Sequence, residues 1–202
     1  MKKGREGKSW RACALLLLVA SGVAVAHTRG IASEVRVASS LTRPALEARL
    51  ETIVTAMLAL SSQDRLRRSL AQASFCLPQN VLGILLYGAL ELAGEVLHTA
   101  EMNETTIVVI RPLLGVSLGR YIFLPAAFLS EENVRHEYGH TLQGYRYGPF
   151  YLPLVGTASF AQAAISALSP DYAAQYFERW PENEAEALGG VKSPRPDGSS
   201  SP

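Results

Sequence analysis

The sequence predicts a mostly helical α+β fold in which a β-hairpin leads into a histidine-bearing helix and a glutamate-bearing helix follows. Three observations predict it. Apolar residues recur at helical spacing after Pro44, and β-branched and aromatic runs occupy 105–111 and 117–124. Two stretches with helix-capping signals, "SEENVRHEYGH" and "PENEAEALGG", lie downstream.

The chain of 202 residues opens with "MKKGREGKSWR" and then the uncharged run "ACALLLLVASGVAVA". Basic residues ahead of a short apolar run ending in Ala24-Val25-Ala26 outline a signal peptide, with cleavage expected before His27 and an exported product, periplasmic or extracellular. Removing residues 1–26 takes five of the 19 basic and one of the 18 acidic residues, leaving 14 against 17 and a net charge of −3. Such a chain carries no electrostatic footprint for nucleic acid. Cys13 leaves with the signal, so Cys76 has no intramolecular partner and is expected as a buried thiol. The rest suits one domain: a leader over 27–42, a folded unit over 43–190, and a Ser/Pro/Gly-rich tail over 191–202 that has little to bury and is expected to be disordered.

Leu46, Leu50, Ile53, Val54, Met57 and Leu58 share a helical periodicity, with Pro44 in the first turn. "SSQDRLRRSLAQASF" reads as a second, more exposed helix, and "LPQNVLGILLYGALELAGEVLHTA" as a buried helix interrupted by glycines. "TTIVVIR" and "SLGRYIFL", with "PLLGV" between them, read as a hairpin. Ser130 then caps a helix over 131–145, with Glu131 and Glu132 in its first turn favouring the helix dipole.

On that helix the four-residue step brings His136 and His140 to one face, one turn apart. Two imidazoles so placed can share a cation, and Glu137 beside the first is placed to take a proton from a water that zinc activates. This is the zincin motif His-Glu-x-x-His, and the folded unit over 43–190 is expected to be zincin-like. With 4 His and 15 Glu in the chain, chance would produce it about 0.006 times, so a third ligand is worth seeking.

The metzincin extension is absent, because Gln143 and Arg146 stand where it needs glycine and histidine. No histidine follows His140, so a downstream ligand is a carboxylate: Asp171, Glu178, Glu182, Glu184, Glu186 or Asp197. In "FERWPENEAEALGG", Pro181 can start a helix and Gly189 and Gly190 can end it. Glu182 and Glu186 then share a face while Glu184 turns elsewhere. The simplest assignment makes Glu182 the ligand and Glu186 the group that holds a ligand histidine's other ring nitrogen. Gly139, inside the histidine helix, is costly there and points to close approach of another element.

"HEYGH" followed 42 residues after its second histidine by "ENEAE" resembles the gluzincin clan of zinc metallopeptidases. More narrowly, "GVSLGRYIFL", "HEYGHTLQG", "GPFYLPLVGTASF" and "ENEAEALGG" in this order are similar to a group of largely uncharacterised bacterial proteins, over about residues 105–190. The resemblance implies metal ligands at His136, His140 and Glu182, with Glu137 as the catalytic glutamate; Glu186 stands where the pattern more often has Asp. The expected function is zinc-dependent hydrolysis of peptide bonds in a peptide or protein substrate. The alternatives are a non-catalytic zinc-binding protein and a membrane-associated interaction protein. The last would use residues 148–170, uncharged over 23 positions, but two prolines near its start and several polar residues favour a buried loop and helix there instead. The strand "SLGRYIFL" is a candidate edge for an extended peptide. No residue is assigned to stabilise an oxyanion among Tyr145, Tyr147, Tyr151, Tyr172 and Tyr176.

Overall fold

The computed structural model describes residues 42–60, 70–71, 74–102, 104–111 and 115–191. The signal segment with its cleavage point, the leader up to residue 41, most of the second expected helix and the tail from residue 192 lie outside the described residues.

The first helix, α1 (Arg43–Leu60), is followed by α2 (Leu77–Leu92) and four strands: β1 (Val96–Met102), β2 (Thr105–Ile110), β3 (Val116–Leu118) and β4 (Tyr121–Pro125). Then come α3 (Glu131–Tyr147), α4 (Thr157–Leu168), α5 (Pro170–Ala174) and α6 (Glu182–Gly189). The fold is α+β, with a β-hairpin before the histidine helix and a glutamate helix after it, as the sequence predicts.

The sheet has the order β1-β2-β4-β3. All six residues of β2 are buried because helices cover both faces of the sheet. On one face Leu46, Leu50, Ile53 and Met57 of α1 and Val134 and Tyr138 of α3 meet Ile107, Val109, Ile122 and Leu124. On the other, Leu90 of α2 meets Val108, Ile110, Val116, Leu118 and Phe123. Strand alternation thus sends odd and even positions of β2 into two separate cores. Each large side chain so buried contributes roughly 1.5–3 kcal/mol of transfer free energy.

Two expectations need correction. The hairpin that leads into α3 is β3–β4, turned at Gly119 between the paired Leu118 and Tyr121; the run 105–111 is not its other arm. Instead β2 pairs antiparallel with β1 and parallel with β4. The chain leaves Ile110, passes β4's position to lay β3 at the edge, and doubles back to fill the gap. The second correction concerns 77–100, which is neither one helix nor wholly buried. Gly94, at φ +69°, ends the helical path in a conformation L-residues rarely adopt, and "VLHTAEM" then forms β1. Within α2, Gln79, Gly83 and Leu90 face inward while Leu77, Val81, Ile84 and Leu85 are exposed.

Residues 148–170 form short helical turns and α4, carrying the chain from α3 towards α6 with Tyr151, Val155, Ser159 and Ala163 turned inward. Among the described residues no helix is long and apolar enough to cross a membrane. Cys76 is a buried free thiol, and burial pushes its pKa up to about 11.

Candidate metal centre

The site is built where α6 lies across α3. Ser130 caps α3 by accepting from Asn133 N at 3.2 Å, which sets the register of the helix and hence the direction of His136 and His140. Their rings meet edge to face at 4.8 Å between centroids. On α6, Pro181 stands at the N-cap and Gly190, at φ +69°, closes the C-terminus, so Glu182 opens the helix and Glu186 follows one turn later.

The two helices touch backbone to backbone. A Cβ at Gly139 would lie 1.8 Å from Ala185 O, and one at Gly189 would lie 1.9 Å from Arg135 O. Glycine on each partner permits the approach that the cost of Gly139 in a helix suggested, roughly 1 kcal/mol relative to alanine.

That approach carries Glu182 between the histidines. His136 Nε2 and His140 Nε2 each lie 3.2 Å from Glu182 Oε2. All three side chains are buried, Glu182 completely. His136 Nδ1 and Nε2 and Glu182 Oε1 make no hydrogen bond, so the 3.2 Å approach of His136 is close without being aligned as one. One ligand atom from each residue falls within 4.8 Å of the others, and His136, His140 and Glu182 could together hold a metal ion. A buried polar atom without a partner is costly, and a cation shared through one atom of each residue would satisfy His136 Nε2.

Burial alone would lower the pKa of His140, but Glu182 beside it outweighs burial and pushes it up to about 9, with Glu137 and Gln143 adding to the rise. Burial likewise would raise the carboxyl of Glu182, yet His140 first and His136 after it hold it well below the usual carboxylate range. Glu137, Glu182 and Glu186 are all buried beside the two imidazoles, so carboxyl groups outnumber basic ones in this dry region.

The tautomer of His140 follows from its neighbours. Gln143 Nε2 donates to Pro181 O at 2.8 Å and to Glu184 Oε2 at 3.0 Å, which fixes the amide orientation and leaves Gln143 Oε1 facing His140 Nδ1 at 2.8 Å. An amide oxygen only accepts, so Nδ1 carries a proton, and in the neutral ring Nε2 keeps a lone pair for a cation. Glu184 is in turn held by Tyr147 OH, Trp180 Nε1 and Arg146 Nη1 at 2.9, 3.1 and 2.6 Å.

Sequence reasoning missed this arrangement. Gln143 is completely buried, and Glu184, expected to turn elsewhere, anchors it. The sequence places Gln143 on the metal face, one turn beyond His140, but does not show its bonds to His140, Pro181 and Glu184. Glu186 Oε1 faces His136 Nδ1 at 3.9 Å, beyond hydrogen-bond range and longer than Gln143's contact with His140.

Glu137 is 2 % exposed, and its Oε2 accepts from Ser117 Oγ at 2.7 Å. Of the tyrosines, Tyr147 bonds Glu184, and Arg179 lies over the Tyr172 ring at 4.4 Å. Tyr151 and Tyr176 are the buried pair; burial raises both hydroxyls, and Glu137 and Glu182 raise them further.

No family model, no curated protein and no solved structure matches this chain.

Proposed function

We propose that the protein is an exported, zinc-dependent metallopeptidase of gluzincin type, with His136, His140 and Glu182 holding the metal and Glu137 as the general base. The observation that carries this reading is the pair of 3.2 Å separations between Glu182 Oε2 and the two Nε2 atoms. Ligand bonds of about 2.0–2.1 Å at tetrahedral angles put neighbouring ligand atoms about 3.3–3.4 Å apart. Two neutral imidazoles and one carboxylate form the set of protein ligands that catalytic zinc takes, with a fourth position for water.

When bound, zinc supplies Lewis acidity, enough to bring the pKa of a water in such sites to about 7 and to polarise a carbonyl. Glu137 takes the proton of the attacking water on Oε1, the oxygen Ser117 does not touch, and passes it to the amine nitrogen as the C–N bond breaks. Gln143 holds the His140 ring with Nε2 inward. The edge strand β3 runs beside Glu137.

A second reading, a metal-binding interaction protein without turnover, is favoured by the exposed apolar side chains of α2. One experiment separates the two. The protein, with Glu137→Gln, His140→Ala and Glu182→Ala variants, is assayed for zinc by atomic absorption and for hydrolysis of a fluorescence-quenched peptide mixture. The peptidase reading expects stoichiometric zinc in the parent and in Glu137→Gln, loss of zinc in the ligand variants, and turnover in the parent alone. Zinc that survives both ligand substitutions would sink the ligand set, and equal hydrolysis by Glu137→Gln would remove Glu137 from the mechanism.

A further inference from the structure

We infer that the edge segment Gly115–Ser117 is a cradle for the general base, with Ser117 as the residue that positions Glu137; this role rests on the hydrolytic reading above. Positions 115 and 117 lie two apart along an extended chain and so share a face. That face is turned towards α3, since Val116 and Leu118 pack into the opposite core with α2. Ser117 is buried, and its Oγ lies 2.7 Å from Glu137 Oε2 and 2.8 Å from Glu137 O. A Cβ at Gly115 would lie 3.0 Å from Glu137 Oε1. One strand residue grips one carboxyl oxygen while its neighbour on the same face leaves room for the other.

Two short contacts at one hydroxyl carry further information. A serine has a single proton to donate, and Glu137 O can only accept. With its proton turned to Oε2, the hydroxyl holds that oxygen and leaves Oε1, the oxygen that takes the proton in the reading above, untouched. The carboxyl plane thus stays fixed and Oε1 keeps its aim with no heavy atom displaced.

β3 is the edge of the sheet and pairs only with β4 among the described strands, Ser117 opposite Ile122.

The test uses full-length protein loaded with cobalt(II), whose visible spectrum reports the metal's ligand environment without any need for a substrate. Spectra are followed against pH for the parent, Ser117→Ala, Ser117→Thr, Gly115→Ala and Glu137→Gln, with melting curves to confirm folding. The expected result is that Ser117→Ala and Gly115→Ala, which disturb the carboxyl from its two sides, move the pH profile towards that of Glu137→Gln. Ser117→Thr, which keeps the hydroxyl, stays with the parent. On a peptide substrate, Ser117→Ala lowers kcat about 10- to 100-fold with KM unchanged, as loss of an orienting partner does. A Ser117→Ala profile that coincides with the parent's while that of Glu137→Gln differs would overturn the cradle and leave the metal and base assignments standing. Coincidence of Glu137→Gln with the parent would overturn the base, and no cobalt uptake by the parent the metal centre; the role of Ser117 would go with either.

Discussion

Gly139→Ala adds one methyl group at the crossing of α3 and α6, and the geometry fixes both the direction and the size of its effect. The new Cβ would lie 1.8 Å from Ala185 O, 2.6 Å from Ala185 C and 2.9 Å from Ala185 Cα. A carbon and a carbonyl oxygen come no closer than about 3.3 Å without penalty, so the helices must part locally by about 1.5 Å. All three atoms belong to backbone, and no side chain can swing away. The metal site spans this crossing, with Glu182 on one helix and both histidines on the other, and metal–ligand bonds tolerate only about 0.2 Å of error. The substitution should lower metal affinity more than about 100-fold, beyond the roughly 10- to 100-fold that loss of an orienting partner costs. Overpacking should add about 1–3 kcal/mol of destabilisation. Helix propensity pulls the other way by about 1 kcal/mol, since alanine is the better helix former. The signs therefore discriminate between a packed and an open crossing. The assay is a competition titration of metal against a chromophoric chelator, with thermal melting in the presence and absence of EDTA. A variant that binds metal like the parent and melts at the same or a higher temperature would refute the packed crossing.

Other consequences can be measured on the same material. Gln143→Leu keeps the bulk but removes the acceptor at His140 Nδ1 and the donor to Pro181 O and Glu184, so metal affinity should fall about 10- to 100-fold; an unchanged affinity would show that the ring needs no such partner. Without metal, Glu182 pushes the pKa of folded His140 up to about 9 from its ordinary 6.5, so its stabilising contribution is complete below about pH 6.5 and is lost as pH rises through about 9. The lowered pKa of Glu182 acts in the opposite sense, giving stability present above its ordinary value of 4.5 and lost as pH falls. EDTA-treated protein should therefore melt at a temperature that declines on the alkaline side, whereas metal-loaded protein, with Nε2 of His140 occupied, should not show that decline. Melting curves between pH 6 and 10 that superimpose in shape with and without EDTA would contradict this account.

Much of the site was legible because its chemistry is local. Ser130, Glu131 and Glu132 mark the start of α3, and the spacing of His136 and His140 needs only helical geometry. Pro181 and Gly190 bracket α6 in the same way, so two chemically marked helices could be read. Gly139 signalled the approach of another element, though not which one. What escaped depends on partners distant in sequence. Glu184 was set aside because helical phase separates it from Glu182, yet α3 also presents Gln143, Arg146 and Tyr147 to it. Ser117 is one serine among many until β3 is laid beneath α3. The sheet order was illegible for a related reason: "TTIVVIR" and "YIFLP" are adjacent strands, as proximity suggests, but periodicity does not distinguish parallel from antiparallel pairing. Gly94 was the punctuation that divided α2 from β1, and the surrounding leucines and alanines masked it.

The parallel seam between β2 and β4 also orders events in time. β1 with β2, and β3 with β4, are hairpins closed by a few residues, the kind of contact that forms early because little chain has to be immobilised. Neither hairpin alone presents a finished site. Only when the second slots beside the first, through the register Thr106–Tyr121 to Ile110–Pro125, does the platform exist on which α3 can settle with Glu137 over Ser117. Joining the two halves of the sheet and seating Glu137 against Ser117 are then one event, so a partly assembled chain lacks the contact that would position the proposed base.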